Sequence, residues 1–220
     1  MKPCSKILLV ILLTFAAVNI CNSQSVTTED INQLWLDCRL NKVLPFDVFN
    51  IAIAGYSKIN AIKKKNLITI IDFSKPSTEK RFFVIDIVKK RILFQSFVAH
   101  GKNSGENSAT MFSNKSESLK SSLGFYLTAE TYTGKHGYSL KLDGLEKGIN
   151  DNARAREIVI HGAEYVSQEF IKKYGRLGRS WGCPALPVET SKEIIDMISN
   201  GSCLFIYGVD SFYKKNSELI

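Results

Sequence analysis

The chain has 220 residues, of which 45% are hydrophobic and 23% charged, and it carries a formal net charge of +8 at pH 7. This is the composition of one globular domain with a small appendage, and it contains no low-complexity tract. The mild basic excess suits an anionic surface such as a cell wall, or serves solubility alone, and no regular interleaving of basic and aromatic residues indicates binding to nucleic acid.

Residues 1–23 are predicted to be a secretory signal peptide. A charged start precedes an apolar run over residues 7–20 (ILLVILLTFAAVNI), and the segment ends in the small residue Ser23. The run is too short to span a bilayer comfortably, so no stable membrane span is expected. The alternative is a lipoprotein signal with Cys21 lipidated, which the bulky Ile20 before it disfavours. We therefore expect an exported protein of the periplasm or cell envelope.

Residues 24–65 are predicted to form an N-terminal helical segment. Apolar residues recur at helical spacing over residues 28–41 and again over residues 45–63. This spacing predicts two helices that pack beside the main domain. The lysine run at residues 63–65 closes the segment as a solvated end.

Residues 66–220 are predicted to form the main domain, in which the hydrophobic period changes to two. This period is typical of β-strands, and Lys89-Lys90 fits the tight turn of a hairpin. Strands are predicted over residues 67–73, 81–88, 91–100, 124–132, 138–144, 156–162 and 202–207, and short helices near residues 167–174 and 189–198. Residues 101–122 are polar and too long for a simple turn, which indicates a functional loop. The fold class is therefore α+β, mainly β.

Three cysteines remain beyond the predicted signal peptide, an odd number for an oxidising compartment. Cys38 lies on an apolar helical face (QLWLDCRL) and Cys203 in a strand-like run (GSCLFIYG), so both are predicted to be core residues or a mutual disulfide. Cys183 is left over. At least one cysteine is unpaired unless chains are cross-linked.

Cys183 stands in the stretch RSWGCPALP, in a setting that favours a nucleophile. A free thiol has a pKa of about 8.5, so a thiolate near neutral pH needs a neighbouring imidazole or cation. His161, at the end of the apolar strand IVI, is predicted to be the general base, and Arg179 could supply the cation. Gly182 lets the backbone approach closely and point N–H groups into an oxyanion hole. The alternative for His161 is a strand-end histidine that only binds a loop.

These residues resemble the L,D-transpeptidase catalytic-domain family, in its murein branch. The family pattern is a histidine followed by glycine and, farther along, Ser/Thr-His-Gly-Cys. His161-Gly162 matches its start, and Ser180-Trp181-Gly182-Cys183 matches its end. Trp181 departs from the commonest pattern, which has a second histidine there, so no role is copied from that histidine. The resemblance covers roughly residues 67–207.

The resemblance implies a β-sandwich of the L,D-transpeptidase type. Together with the helices predicted from residue spacing, this gives a β-sandwich with two N-terminal helices and short helices flanking the catalytic loop. It implies that Cys183 attacks the L-centre carbonyl of diaminopimelate in a peptidoglycan tetrapeptide stem, expels D-alanine and forms a thioester. The amine of a second stem then makes a 3→3 cross-link, whereas water makes the enzyme an L,D-carboxypeptidase. A non-catalytic wall-binding protein of the same fold is the further alternative.

The resemblance also implies roles for single residues. His161 is the proton shuttle, oriented by a backbone carbonyl, Ser180 is the serine of the motif, and the N–H groups of Gly182 and Cys183 bind the oxyanion. The remaining predicted substrate-binding residues are Tyr132, His136, Gly162, Arg179 and Trp181. Two of these residues have an equal alternative: His136 could be a loop histidine that takes no part in binding, and Trp181 could be a core residue.

Partners follow from the same resemblance. Peptidoglycan stem peptides are the expected substrate, carbapenem-type compounds are possible inhibitors, and neither a metal nor an organic cofactor is implied. We expect a monomer. Arg154 and Arg156 in the stretch NARAR could bind stem carboxylates, but arginines near a loop are more often solvated. His100 is expected to be structural.

Overall fold

The computed structural model describes residues 27–220, so the predicted signal peptide lies outside the described residues. Five α-helices and eight β-strands make up the fold. The helices are α1 (Thr28–Asp37), α2 (Phe46–Ser57), α3 (Gln168–Tyr174), α4 (Val188–Ile198) and α5 (Ser211–Asn216). The strands are β1 (Leu67–Asp72), β2 (Phe82–Asp86), β3 (Arg91–Ser96), β4 (Gly124–Gly134), β5 (Gly137–Gly144), β6 (Val159–Gly162), β7 (Ala185–Leu186) and β8 (Cys203–Tyr207). The predicted α+β, mainly β class is confirmed.

Local sequence explains where the first helix begins. Thr27 accepts a hydrogen bond from the Asp30 N–H, and the Asp30 carboxylate accepts one from the Thr27 N–H in return. This reciprocal capping box satisfies N–H groups that have no partner inside the helix. The two predicted N-terminal helices are present, and both end a few residues earlier than their apolar pattern.

All eight strands belong to one mixed sheet with the order β3-β2-β1-β8-β4-β5-β6-β7. β1 and β8 pair in parallel, as do β6 and β7, and the other neighbours are antiparallel. Beyond β3 the chain continues to Ala99, which bridges to Ala185 in β7 at the opposite edge. The sheet therefore bends back on itself. The two layers of the predicted β-sandwich are two parts of this one continuous sheet.

The core lies between the bent sheet and the helices. α1, α2 and α4 contribute side chains to the same hydrophobic cluster as the central strands, including the fully buried Phe49 and Ile195. Because α1 and α2 share this core, the predicted boundary between residues 24–65 and 66–220 is not marked by a separate core. That boundary stays a prediction.

The cysteines of the core are free thiols. Cys38 and Cys203 are both buried, and neither forms a disulfide. Of the two predicted alternatives, core residues or a mutual disulfide, the structure therefore has core residues. Burial raises the pKa of Cys38 to about 11 and that of Cys203 to about 12. Neither thiol is suited to react near neutral pH.

Within residues 27–220 no helix is long and apolar enough to cross a membrane.

Candidate active site

Cys183 lies at the end of the loop that leads into β7, beside the start of β6. The two strands run in parallel with His161 opposite Ala185, which carries the cysteine alongside Val159. The Val159 N–H donates to Cys183 Sγ at 3.5 Å, and the thiol donates to the Glu157 carbonyl oxygen at 3.6 Å. Backbone groups therefore hold the sulfur of this half-buried residue.

The Glu157 carbonyl faces the thiol because the chain turns sharply before β6. Residues 150–157 form consecutive turns, and Glu157 has a φ of +56°, in the left-handed region that non-glycine residues seldom adopt. β6 consequently begins at Val159, three residues later than predicted. The prediction of a strand from residue 156 is wrong because side-chain alternation does not reveal such a turn.

Ser180 fixes the shape of the cysteine loop. Its hydroxyl donates to the Cys183 carbonyl oxygen at 2.6 Å and accepts from the Gly182 N–H at 3.1 Å. Its backbone N–H donates to the His100 carbonyl oxygen at 3.0 Å. The predicted catalytic serine is buried and acts as an internal brace, not as a group that faces a substrate.

Gly182 is required by the backbone, but its N–H group is occupied. Its φ is +127°, and a Cβ would stand 2.9 Å from the Lys120 carbonyl oxygen, so any side chain would be strained. Its N–H donates to Ser180 Oγ, and the predicted place of that N–H in an oxyanion hole stays a prediction. The Cys183 N–H has no hydrogen-bond acceptor among the described residues, which leaves it free to bind an oxyanion.

His161 is buried and held by one ring nitrogen. Its Nδ1 lies 2.9 Å from the Gly162 carbonyl oxygen, which can only accept, so the proton sits on Nδ1 and Nε2 is left as an acceptor. Burial lowers the pKa of His161, the Gly162 carbonyl partly offsets this, and His136 lowers it further. The ring is therefore neutral near pH 7 and can accept a proton.

The strand register relates His161 to the cysteine. Alternate residues of a strand share a face, so His161 lies on the face of Val159, whose N–H touches the sulfur, and one pleat farther along, roughly 7 Å. Among the described residues no hydrogen bond joins His161 to Cys183. The imidazole of His136 stacks on it with ring centroids 4.5 Å apart.

A cavity of about 490 Å³ opens beside the thiol. It brings together four of the predicted site residues, namely Tyr132, His136, Trp181 and Cys183. Trp181 is 66% exposed, so of its two predicted alternatives it is a wall of the cavity and not core. Lys135 Nζ lies 5.3 Å from the centroid of the Trp181 ring, within cation–π distance.

The sequence of the chain matches the family of L,D-transpeptidase catalytic domains over residues 40–207. The chain belongs to this family. No curated protein matches it.

Solved structures give a weaker comparison. An L,D-transpeptidase from Mycobacterium smegmatis has a TM-score of 0.40 at 13% identity, covering 65% of this chain and 59% of that one. The L,D-transpeptidase LdtMt1 in complex with imipenem gives 0.39 at 13%, covering 64% and 59%. The helical cell shape determining protein Pgp2 from Campylobacter jejuni gives 0.43 at 17%, covering 66% and 48%. The chain thus spans about half to three fifths of their length, and the family assignment rests on the sequence match.

Five predicted site residues of this L,D-transpeptidase-family domain do not line the cavity, namely His161, Gly162, Arg179, Ser180 and Gly182. Gly162 packs against the start of α4, where a Cβ would stand 2.6 Å from Ser191 Oγ, and its carbonyl serves His161. Arg179 Nη1 donates to the Glu106 carboxylate at 2.6 Å and to the Gly105 carbonyl oxygen at 3.2 Å. In this structure the Gly162 carbonyl contacts His161 and Arg179 contacts the 105–106 loop, and their predicted roles in substrate binding stay predictions.

The family domain also places charged residues in the cavity, among them the two arginines for which the sequence left open solvation or the binding of stem carboxylates. The additional charged lining residues are Lys135, Lys141, Arg154, Arg156 and Glu157. The two arginines stand in the stretch NARAR, which forms the turns before β6. Their proximity to the cysteine could have been inferred from the short separation between NARAR and His161, although solvated arginines are more common.

The charges around Cys183 work in opposite directions. Burial raises the pKa of the thiol, while the Val159 N–H, Arg156 and Lys135 lower it and Glu157 raises it. The predicted cation, Arg179, pairs with the Glu106 carboxylate instead. Within residues 27–220 no cluster of His, Cys, Asp and Glu side chains is arranged to hold a metal ion.

Proposed function

We propose that the protein is a peptidoglycan L,D-transpeptidase that forms 3→3 cross-links through a thioester on Cys183. The observation that carries this proposal is a free, half-buried thiol on the wall of the cavity, one pleat from a neutral histidine with an unused Nε2. A nucleophile beside a base whose other nitrogen is oriented by an acceptor is the arrangement that acyl transfer needs.

In the proposed acylation the Cys183 proton passes to His161 Nε2, and the thiolate attacks the L-centre carbonyl of diaminopimelate. The Cys183 N–H stabilises the oxyanion of the tetrahedral intermediate. When the intermediate collapses, the C–N bond to D-alanine breaks and His161 returns the proton to the leaving amine. Because no hydrogen bond yet joins the two residues, a small rotation of either side chain is needed to begin the step.

In the proposed second step the side-chain amine of another stem attacks the thioester. Its proton passes to His161, the C–S bond breaks, and the thiol is regenerated as the cross-link forms. Water in place of the amine yields a tripeptide, and the protein is then an L,D-carboxypeptidase. The cavity of about 490 Å³ and the exposed Trp181 on its wall are the features that favour binding of an acceptor stem, and hence transfer.

We propose export to the periplasm or cell envelope, since the proposed substrate is found there and residues 1–23 read as a signal peptide. We also propose that carbapenems acylate Cys183, because a protein with a similar fold is described in complex with imipenem.

The decisive experiment incubates the mature protein with disaccharide-tetrapeptide. We expect release of D-alanine and formation of dimers, and the ratio of dimer to tripeptide separates transfer from hydrolysis. Intact-mass analysis after incubation with meropenem should show one adduct. Cys183→Ala should abolish both products and the adduct, and product from that variant would refute the role of the cysteine. Binding to sacculi without any adduct would favour a non-catalytic wall-binding protein.

A further inference from the structure

Arg154 and Arg156 line the same cavity, but only one of them has carboxylate partners that compensate its positive charge. Arg154 Nε and Nη2 donate to the two oxygens of Asp143 at 2.7 and 2.9 Å, and its Nη1 donates to Glu130 at 2.8 Å. Two carboxylates therefore neutralise Arg154. It is also 44% exposed, where ion pairs are screened by water.

Arg156 has no carboxylate partner among residues 27–220. It is half-buried, and its four terminal N–H groups contact only neutral acceptors. Nη1 donates to the Ser113 carbonyl oxygen at 2.7 Å and to Ser122 Oγ at 3.3 Å; Nη2 donates to the Lys120 carbonyl oxygen at 2.6 Å and to Ser118 Oγ at 3.3 Å. These bonds satisfy its hydrogen atoms but leave its charge uncompensated.

This uncompensated charge stands next to the cysteine loop. A Cβ on Gly182, the residue before Cys183, would lie 3.3 Å from Arg156 Nη2. The other ionisable groups that act on or respond to the thiol are Lys135, Glu157 and Tyr165. Lys135 is on the exposed β4–β5 turn, whereas Arg156 is fixed by four hydrogen bonds.

We propose that Arg156 is a positioning residue whose fork holds residues 113–122 against the cysteine loop and whose charge stabilises the Cys183 thiolate. It therefore fills the need for a cation next to a catalytic thiolate. The inference rests on the proposed function only in taking Cys183 as the nucleophile.

The same hydrogen bonds argue against a role in binding a substrate carboxylate. Forked recognition of a carboxylate uses two adjacent N–H groups of one guanidinium. All terminal N–H groups of Arg156 already have acceptors in the 113–122 loop, so such a ligand would have to break that loop away. A thiolate needs only the charge.

The test measures the thiolate directly, through the pH dependence of alkylation. Wild type, Arg156→Gln, Arg156→Lys and Arg154→Gln are treated with iodoacetamide from pH 6 to 10, and labelling of the tryptic peptide 180–192 is followed by mass spectrometry. We expect Arg156→Gln to shift the midpoint upward by about one unit, since a close opposite charge lowers a pKa by about that much or more. Arg156→Lys should remain near wild type, and Arg154→Gln, which removes the same formal charge from the same cavity, should shift much less.

Three results would overturn the inference. An equal shift in Arg154→Gln would show an unspecific charge effect. An equal shift in Arg156→Lys and Arg156→Gln would show that the fork matters and the charge does not. A raised KM for tetrapeptide with an unchanged midpoint would make Arg156 a carboxylate ligand. Thermal unfolding checks that each variant is folded. Because alkylation needs no turnover, the inference about Arg156 can fail while the transpeptidase proposal stands, and the transpeptidase proposal can fail while the inference about Arg156 stands.

Discussion

Two buried histidines of this domain, His100 and His161, show how one side chain can serve two purposes. His100 Nδ1 lies 2.7 Å from Arg81 Nη2, which can only donate, so the proton sits on Nε2, 3.2 Å from the Gly105 carbonyl oxygen. Both nitrogens are used. His161 uses Nδ1 alone, on the Gly162 carbonyl. Both histidines are buried, so burial does not distinguish them. The number of ring nitrogens that already have a hydrogen-bond partner separates a structural histidine from one that can still accept a proton.

The largest expected effect in this comparison is the loss of the proposed base. His161→Leu should reduce the rate of acylation by meropenem roughly 10²- to 10⁴-fold, the usual contribution of a general base. The fold should persist, because the ring makes one hydrogen bond to a carbonyl. Stopped-flow acylation and thermal unfolding measure the two quantities. A rate within a few-fold of wild type would assign the proton transfer to another group.

The same substitution at the other histidine should act on stability instead. His100→Leu leaves the buried Arg81 Nη2 without one acceptor, and an unsatisfied buried donor costs about 1 to 3 kcal/mol. Urea unfolding should show that loss, while the acylation rate of the folded fraction should fall far less than in His161→Leu. Unchanged stability would mean that water replaces the imidazole.

A smaller effect concerns the pH dependence of stability. Burial first, and then Arg81, lowers the pKa of His100 to about 4, so the unfolded chain binds its proton at a higher pH than the folded chain does. The contribution of His100 to stability is therefore present above the ordinary pKa of about 6.5 and is lost as pH falls toward 4. The unfolding free energy of His100→Leu should decline less over this range than that of wild type. Parallel curves would contradict the assignment.

The smallest expected effect comes from the ring that covers His161. His136→Ala removes a group that lowers the pKa of His161 and exposes its ring to water. The acidic limb of the acylation profile should move to higher pH, toward the ordinary value. A large loss of rate at the optimum pH would instead make His136 a participant in the reaction.

The parts of the site that the sequence could predict are those with local signatures. His161-Gly162 and Ser180 to Cys183 are short runs whose residue types carry the chemistry, and both meet at adjacent strands. The strand periods likewise predicted most of the sheet. Helix α5 was missed, although Asp210 caps it by accepting from the Tyr213 N–H at 2.7 Å, a signal that could have been found.

The rest depended on contacts without a sequence pattern. Arg156 binds two backbone carbonyls of a distant loop, and any residue can supply a carbonyl. Arg179 and Gly162 lie in or beside the motifs, but position along the chain does not tell which way a side chain or N–H points. The N–H of Gly182 was likewise assigned from residue type, and only the hydroxyl of Ser180 shows that it is occupied.

The bridge between Ala99 and Ala185 bears on how the protein folds. It joins the two edges of the sheet and anchors the strand that follows Cys183, between residues far apart in the chain. Contacts of such sequence separation carry a high loop-closure entropy, and they form late unless other contacts have already brought their ends together. We therefore expect the surroundings of Cys183 to be completed only when this bridge forms, which makes the proposed site a late product of folding.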